Sequence, residues 1–216
     1  MVAAAEKNFK SCVFSTVAFV AILGALVPYA LVRVQFIVKE EIFIAAPPEE
    51  VFAFLSGVRL LDLVHPYRIE ARDIQHFSDV ELNYTSVERV DYVKGVYSTI
   101  YAFPVWVQFA KINNGYQVRS TYDVLNGTLI ARQAFTITTA EHAGRNGTLL
   151  TDKNLMECPW IYSYATFWKA KEAHKDILEG MKQLLERKSV FELNLPSRYV
   201  TGSDVMSQHI LCVANQ

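Results

Sequence analysis

Cysteine is scarce in this 216-residue chain: there are three, of which Cys12 falls inside an apolar stretch and only Cys158 and Cys212 lie outside it. No C-x-x-C pair or Cys/His spacing suited to zinc is present, and two thiols do not make a disulfide framework. Whether Cys158 and Cys212 pair stays open at this level. An excess of charge of one sign is also lacking. Lys and Arg number 21 against 22 Asp and Glu, a net charge of −1, which leaves no electrostatic footprint for nucleic acid. The chain has no G-x-S-x-G, no H-E-x-x-H, no Walker loop and no dinucleotide-binding fingerprint, so no motif assigns a catalytic residue, a metal or a cofactor. Internal repeats and low-complexity linkers are absent as well.

What the chain does have is an uncharged run. The 22 residues from Ser11 to Val32 carry no charged side chain and sit between Lys7/Lys10 and Arg33. As a helix rising ~1.5 Å per residue they reach ~33 Å, enough to cross a bilayer's hydrocarbon core. A cleaved signal peptide needs small residues at −3 and −1; ending at Ala30 puts Pro28 at −3, and ending at Ala25 puts Leu23 there. An uncleaved single-pass anchor is therefore preferred over a cleaved signal or a buried helix. The flanking charges do not orient it, since Lys7 and Lys10 balance Arg33 and Lys39. The sequons at Asn83, Asn126 and Asn146 tip the reading toward glycosylation and a lumenal or extracellular body, in the endoplasmic reticulum or secretory pathway. Two of them are Asn-Gly pairs, which hairpin turns favour for their own reasons.

The expected organisation is a short tail over 1–10, a transmembrane signal anchor over 11–32, one domain over 35–188 and a C-terminal tail over 189–216. Residues 33–46 are rich in β-branched and aromatic side chains and read as a strand. Pro47-Pro48-Glu49-Glu50 then opens a short helix that Gly57 closes. Residues 58–74 read as a second short helical or irregular piece, because His65 precedes Pro66. From Val80 the period is two, with strands expected at about 81–93, 96–111, 116–125, 128–138 and 148–157. Pro104 points to a bulge or an edge position within the long strand. Phe167, Ala170, His174, Ile177, Met181 and Leu184 then mark an amphipathic helix over about 160–187.

Strand, helix, antiparallel strands and long final helix imply an α+β domain in which a curved sheet buries one face against that helix. The run Glu41-Ile42-Phe43-Ile44-Ala45-Ala46-Pro47-Pro48-Glu49-Glu50-Val51-Phe52-Ala53-Phe54-Leu55 resembles the opening strand and helix start of the START-like (SRPBCC, polyketide-cyclase-like) helix-grip superfamily. The resemblance covers about residues 35–188. It implies a curved antiparallel sheet wrapped around the long C-terminal helix, with a hydrophobic cavity between them. The N-terminal anchor and the C-terminal tail depart from that pattern.

Candidate cavity residues follow from the resemblance together with the crowding of aromatics on one strand and at the start of the helix: Tyr97, Tyr101, Phe103, Tyr164, Phe167 and His174. Tyr97, Tyr101 and Phe103 share one strand face, with Trp106 on the other unless Pro104 shifts the register. His174 is either a hydrogen-bonded core histidine or a polar ligand contact. The functional reading is a membrane-tethered module that binds, and locally transfers, a lipid, sterol or other hydrophobic small molecule. A cyclase- or hydratase-type enzyme and an interaction scaffold at the membrane are the alternatives.

Overall fold

A computed structural model describes Gly24, residues 27–93 and residues 97–187. Ten elements follow one another: β1 (Arg33–Ile44), α1 (Pro48–Ser56), a 3-10 turn (Leu60–Leu63), β2 (Arg68–Ser78), β3 (Glu81–Val93), β4 (Tyr97–Ile112), β5 (Gly115–Val124), β6 (Leu129–His142), β7 (Arg145–Pro159) and α2 (Trp160–Arg187). The seven strands form one antiparallel sheet in the order β1-β7-β6-β5-β4-β3-β2. Each strand from β2 to β7 pairs with its chain neighbour, and β1 closes the sheet by pairing with β7 from Arg33↔Pro159 to Ile44↔Thr148.

The inner face is read off the two-residue period. Phe103, Val105, Val107 and Phe109 of β4 are buried, as are Ala131, Phe135 and Ile137 of β6 and Leu150, Asp152, Asn154, Met156 and Cys158 of β7. Pro104 causes no bulge in the β3 ladder, where Thr85↔Pro104 is in register. It sits one residue before pairing with β5 begins at Val105↔Tyr122, so its missing N–H deprives no strand of a partner. The register therefore does not shift, and Trp106 lies on the outer face, stacked on Phe77 and donating from Nε1 to Glu81.

Helix α1 starts with Pro48 in its first turn beside Glu49 and Glu50, and the Gly57 N–H closes it onto Ala53 and Phe54 carbonyls. Its Val51, Phe52, Phe54 and Leu55 are buried together with Ile177, Leu178, Met181 and Leu185 of α2 in one core against the sheet. Gly180 lets α2 approach closely, since a Cβ there would meet Val64 at 3.0 Å. The remainder of α2 is different: from Trp160 to Glu172 no side chain is fully buried. One end of the grip is packed solid, while the other stands open over the sheet.

Two sequence expectations need correction. Of the piece over 58–74 expected to be helical or irregular, the part from Arg68 onward belongs to the edge strand β2, whose register breaks at Arg68/Glu70, Arg72/Gln75 and His76/Ser78. Its burial pattern shows no alternation, with Ala71 alone fully buried, so the periodic signal of a strand is missing. The strands also run longer at the last hairpin, where β6 reaches His142 and β7 starts at Arg145. Most of the anchor over 11–32 and all of the tail over 189–216, including Cys212, lie outside the described residues. Among the described residues no helix is long and apolar enough to cross a membrane.

Candidate ligand cavity

Between the open half of α2 and the concave sheet lies a cavity of about 770 Å³, within the range that holds small-molecule ligands. Val105, Val107 and Val118 form part of its floor, Leu55 and Val58 lie toward α1, and Ala170, Ala173 and Ile177 belong to its α2 side. The small side chains on that stretch of α2 keep the helix from filling the space beneath it. Of the aromatic candidates, Tyr97, Tyr101 and Phe103 line the cavity. Tyr164 instead is 77% exposed on the outer side of α2, and Phe167 packs edge-on against Phe36 of β1.

His174 belongs both to the cavity wall and to a buried polar belt in the middle of the sheet. Its Nδ1 lies 2.5 Å from Asp152 Oδ2 and its Nε2 lies 3.0 Å from Asn154 Nδ2. Gln133 Nε2 donates to both oxygens of Asp152, at 3.0 and 3.1 Å. With Asn154 Nδ2 donating to Nε2, the Nδ1–H is the ring group that faces the Asp152 carboxylate. Asn154 Nδ2 also donates to Tyr122 Oη at 2.9 Å. Tyr122 lines the cavity and acts as acceptor toward Asn154, a bond that does not use its own proton. Burial pushes the Tyr122 phenol well above its usual pKa, which keeps that donor protonated at any physiological pH. Both ring nitrogens of His174 are engaged, so the imidazole positions Asn154 and Tyr122 and has no nitrogen left over for a ligand.

A second polar group faces the first from β2, β3 and the loop before them. His65 Nδ1 accepts from the backbone N–H of Tyr67 and Arg68, at 3.3 and 3.1 Å, which leaves Nε2 directed at Glu88 Oε1, 3.7 Å away. Burial and the nearby Arg68 guanidinium hold His65 well below the usual histidine range. Glu88 accepts from Ser86 Oγ at 3.0 Å, and burial raises its carboxyl. Arg68 donates to Tyr84 Oη at 2.5 Å and lies 3.6 Å from Asp62, whose carboxyl burial also raises. His65, Arg68, Tyr84 and Glu88 all line the cavity. None of these is among the candidate site residues read from the sequence. Their signal, polar residues at alternate inward positions of β3, is invisible until the strand's inner face is known.

Cys158 is a buried free cysteine on the cavity wall, and burial raises its thiol. That is the environment of an unreactive thiol. Of the sequons, Asn83 is half-buried within β3, while Asn126 and Asn146 are exposed in the β5–β6 and β6–β7 hairpins. Among the described residues no group of His, Cys, Asp and Glu is arranged to hold a metal.

No protein-family model matches the sequence, and no curated protein matches it. Solved structures do match in shape. The di-domain ARO/CYC StfQ from the steffimycin biosynthetic pathway aligns with a TM-score of 0.54 at 9% identity, over 73% of this chain and 52% of that one. The di-domain ARO/CYC BexL from the BE-7585A biosynthetic pathway gives 0.52 at 11% identity, over 72% and 50%. TTHA0849 from Thermus thermophilus gives 0.50 at 14% identity, over 68% and 95%. This chain has the helix-grip fold. It spans about half the length of the two di-domain proteins, and at such identities the likeness is one of fold.

Proposed function

We propose that the chain binds an apolar small molecule carrying an oxygen acceptor, a lipid, sterol or related compound, in the cavity between sheet and α2, on a body tethered to a membrane by residues 11–32. The observation that carries this reading is the cavity of about 770 Å³, largely apolar, with Tyr122 on its wall. A largely apolar space with a few polar groups on its wall favours a ligand that buries hydrocarbon and presents a carbonyl or hydroxyl. The uncharged run from Ser11 to Val32 supports the tether, and the three sequons support a lumenal or extracellular body in the secretory pathway.

The test is titration of the purified full-length chain with an NBD-labelled sterol and an NBD-labelled fatty acid, with unlabelled competitor. One of the two should saturate at one site and be displaced, and Tyr122→Phe should weaken it about tenfold, the worth of one hydrogen bond of ~1.4 kcal/mol. Absence of saturable uptake by both probes contradicts the reading.

A second reading has its own observation. Glu88, a half-buried carboxyl with a raised pKa, lines the same cavity as the Tyr122 phenol, an arrangement suited to proton transfer on a bound carbonyl compound. Turnover of a cavity ligand that stops in Glu88→Gln while binding persists would favour it.

A further inference from the structure

The end of the sheet at which the cavity opens is also the end at which the uncharged run enters the domain. Arg33 opens β1 opposite Pro159, the last residue of β7, and the β5–β6 hairpin and the start of β4 lie at this same end. Helix α2 begins there without a linker, and the Trp160 N–H donates to the Val32 carbonyl at 2.8 Å. Val32 is the last residue of the uncharged run, so the point where that run stops is fixed to the first residue of α2.

That point is surrounded by exposed aromatic and aliphatic side chains. Trp160, Tyr164 and Trp168 recur at four-residue steps along the outer stripe of α2, and Trp160 is 60% exposed. Ile161 and Tyr162 are exposed beside them, and Tyr29, Leu31 and Val32 on the incoming chain. The opposite lip, Tyr97 and Leu125, is exposed too. Tyr97, Leu125, Tyr162 and Trp168 are at once exposed and part of the cavity lining, so they form its mouth. Two lysines follow on this stretch of α2: Lys169, paired with Glu172 at 3.1 Å, and Lys171. The Lys171 ammonium lies 5.7 Å from the Trp168 ring centre.

Tryptophan and tyrosine concentrate where one end of a side chain is apolar and the other wet, at the headgroup level of a bilayer, and lysine reaches from there toward phosphate. We infer that this aromatic end is a docking surface for the lipid bilayer, seating the cavity mouth in the headgroup layer so that the ligand enters from the lipid rather than from water. The occupant is set by the chain itself: a run long enough to span a bilayer ends one hydrogen bond away from Trp160. The inference rests on the tether in the proposed function and does not depend on which ligand the cavity holds.

The experiment uses the full-length chain with Trp106→Phe, which removes the outer-face tryptophan and leaves Trp160 and Trp168 as the reporters. It is reconstituted in phosphatidylcholine/phosphatidylserine vesicles, with and without lipids brominated on the acyl chain near the headgroup. The expected result is loss of about half of the emission with brominated lipid and weak quenching by aqueous iodide. Strong iodide quenching with no effect of bromine overturns the docking surface when the protein floats with the vesicles on a sucrose gradient, whereas protein that does not float overturns the tether and the docking with it. Protection from both quenchers also overturns it, because a second copy or another protein segment then covers the aromatic face. Neither readout needs a bound ligand, so an empty cavity with normal bromine quenching fails the binding reading alone.

Discussion

His174 of α2 and Asp152 of β7 meet at 2.5 Å, Nδ1 to Oδ2, under the open half of the helix, with both side chains buried. The pair ties the helix to the sheet beside the cavity and fixes the imidazole so that its other nitrogen accepts from Asn154. Removal of one member of such a pair leaves a buried polar or charged group without its partner.

Asp152→Ala should therefore destabilise the fold by about 3–5 kcal/mol in urea denaturation. Val38→Ala, an apolar truncation outside this network, should cost about 1.5–3 kcal/mol. Equal costs for the two would mean that the pair contributes no more than ordinary packing.

Val105 has little exposed surface and lines the cavity floor. In a filled core, Val→Phe at such a position costs about 1–3 kcal/mol. Over an open cavity the added ring has room, so Val105→Phe should change stability by less than ~1 kcal/mol while abolishing probe uptake. A large loss of stability would show that the space is not available.

Two groups on the cavity wall set opposite pH dependences. His65 is held well below 6.5, so the unfolded chain takes up a proton that the folded one does not. Stability from this group is complete above pH ~6.5 and is lost as pH falls from there toward the folded value. Glu88 is raised above 4.5, so its contribution is present below pH ~4.5 and lost as pH rises through the folded value. Thermal melts should show Glu88→Gln more stable than the parent at pH ~7 and level with it at pH ~4. His65→Asn should flatten the parent's decline below pH ~6.5. A Glu88→Gln variant less stable at neutral pH would contradict the burial argument.

The sequons differ in position. Asn146 is exposed in the β6–β7 hairpin, at the end away from the aromatic rim. Asn126 lies in the β5–β6 hairpin, where Arg33 binds the neighbouring Gly127 carbonyl at 2.7 Å, at the end proposed to touch lipid. A lumenal body docked in this way should carry sugar on Asn146 and none on Asn126, as site-by-site Asn→Gln mobility shifts would show. Sugar on Asn126 would contradict the docked orientation, and no shift at any site would contradict the lumenal placement.

The long elements were legible in the sequence because each carries an uninterrupted period: two along β4 and β7, and three to four along α2. Strand β2 was not, because three register breaks and an outer-edge position remove the alternation. Within the cavity, the strand parity of Tyr97, Tyr101 and Phe103 gave their common face. Tyr164 and Phe167 needed knowledge of the helix rotation: α2 turns His174 inward, Phe167 toward β1 and Tyr164 to the outside. The polar belt was unreadable for a different reason. Tyr122, Gln133, Asp152 and Asn154 come from β5, β6 and β7, and only sheet register brings them together around a histidine from α2.

The most direct measurement is solvent extraction and mass spectrometry of the full-length chain purified from a eukaryotic membrane, run beside Val105→Phe prepared identically. About one oxygen-bearing apolar molecule per chain is expected from the parent, and roughly tenfold less from the variant. An empty parent that also takes up no probe, or equal amounts from both proteins, would contradict a cavity-bound ligand.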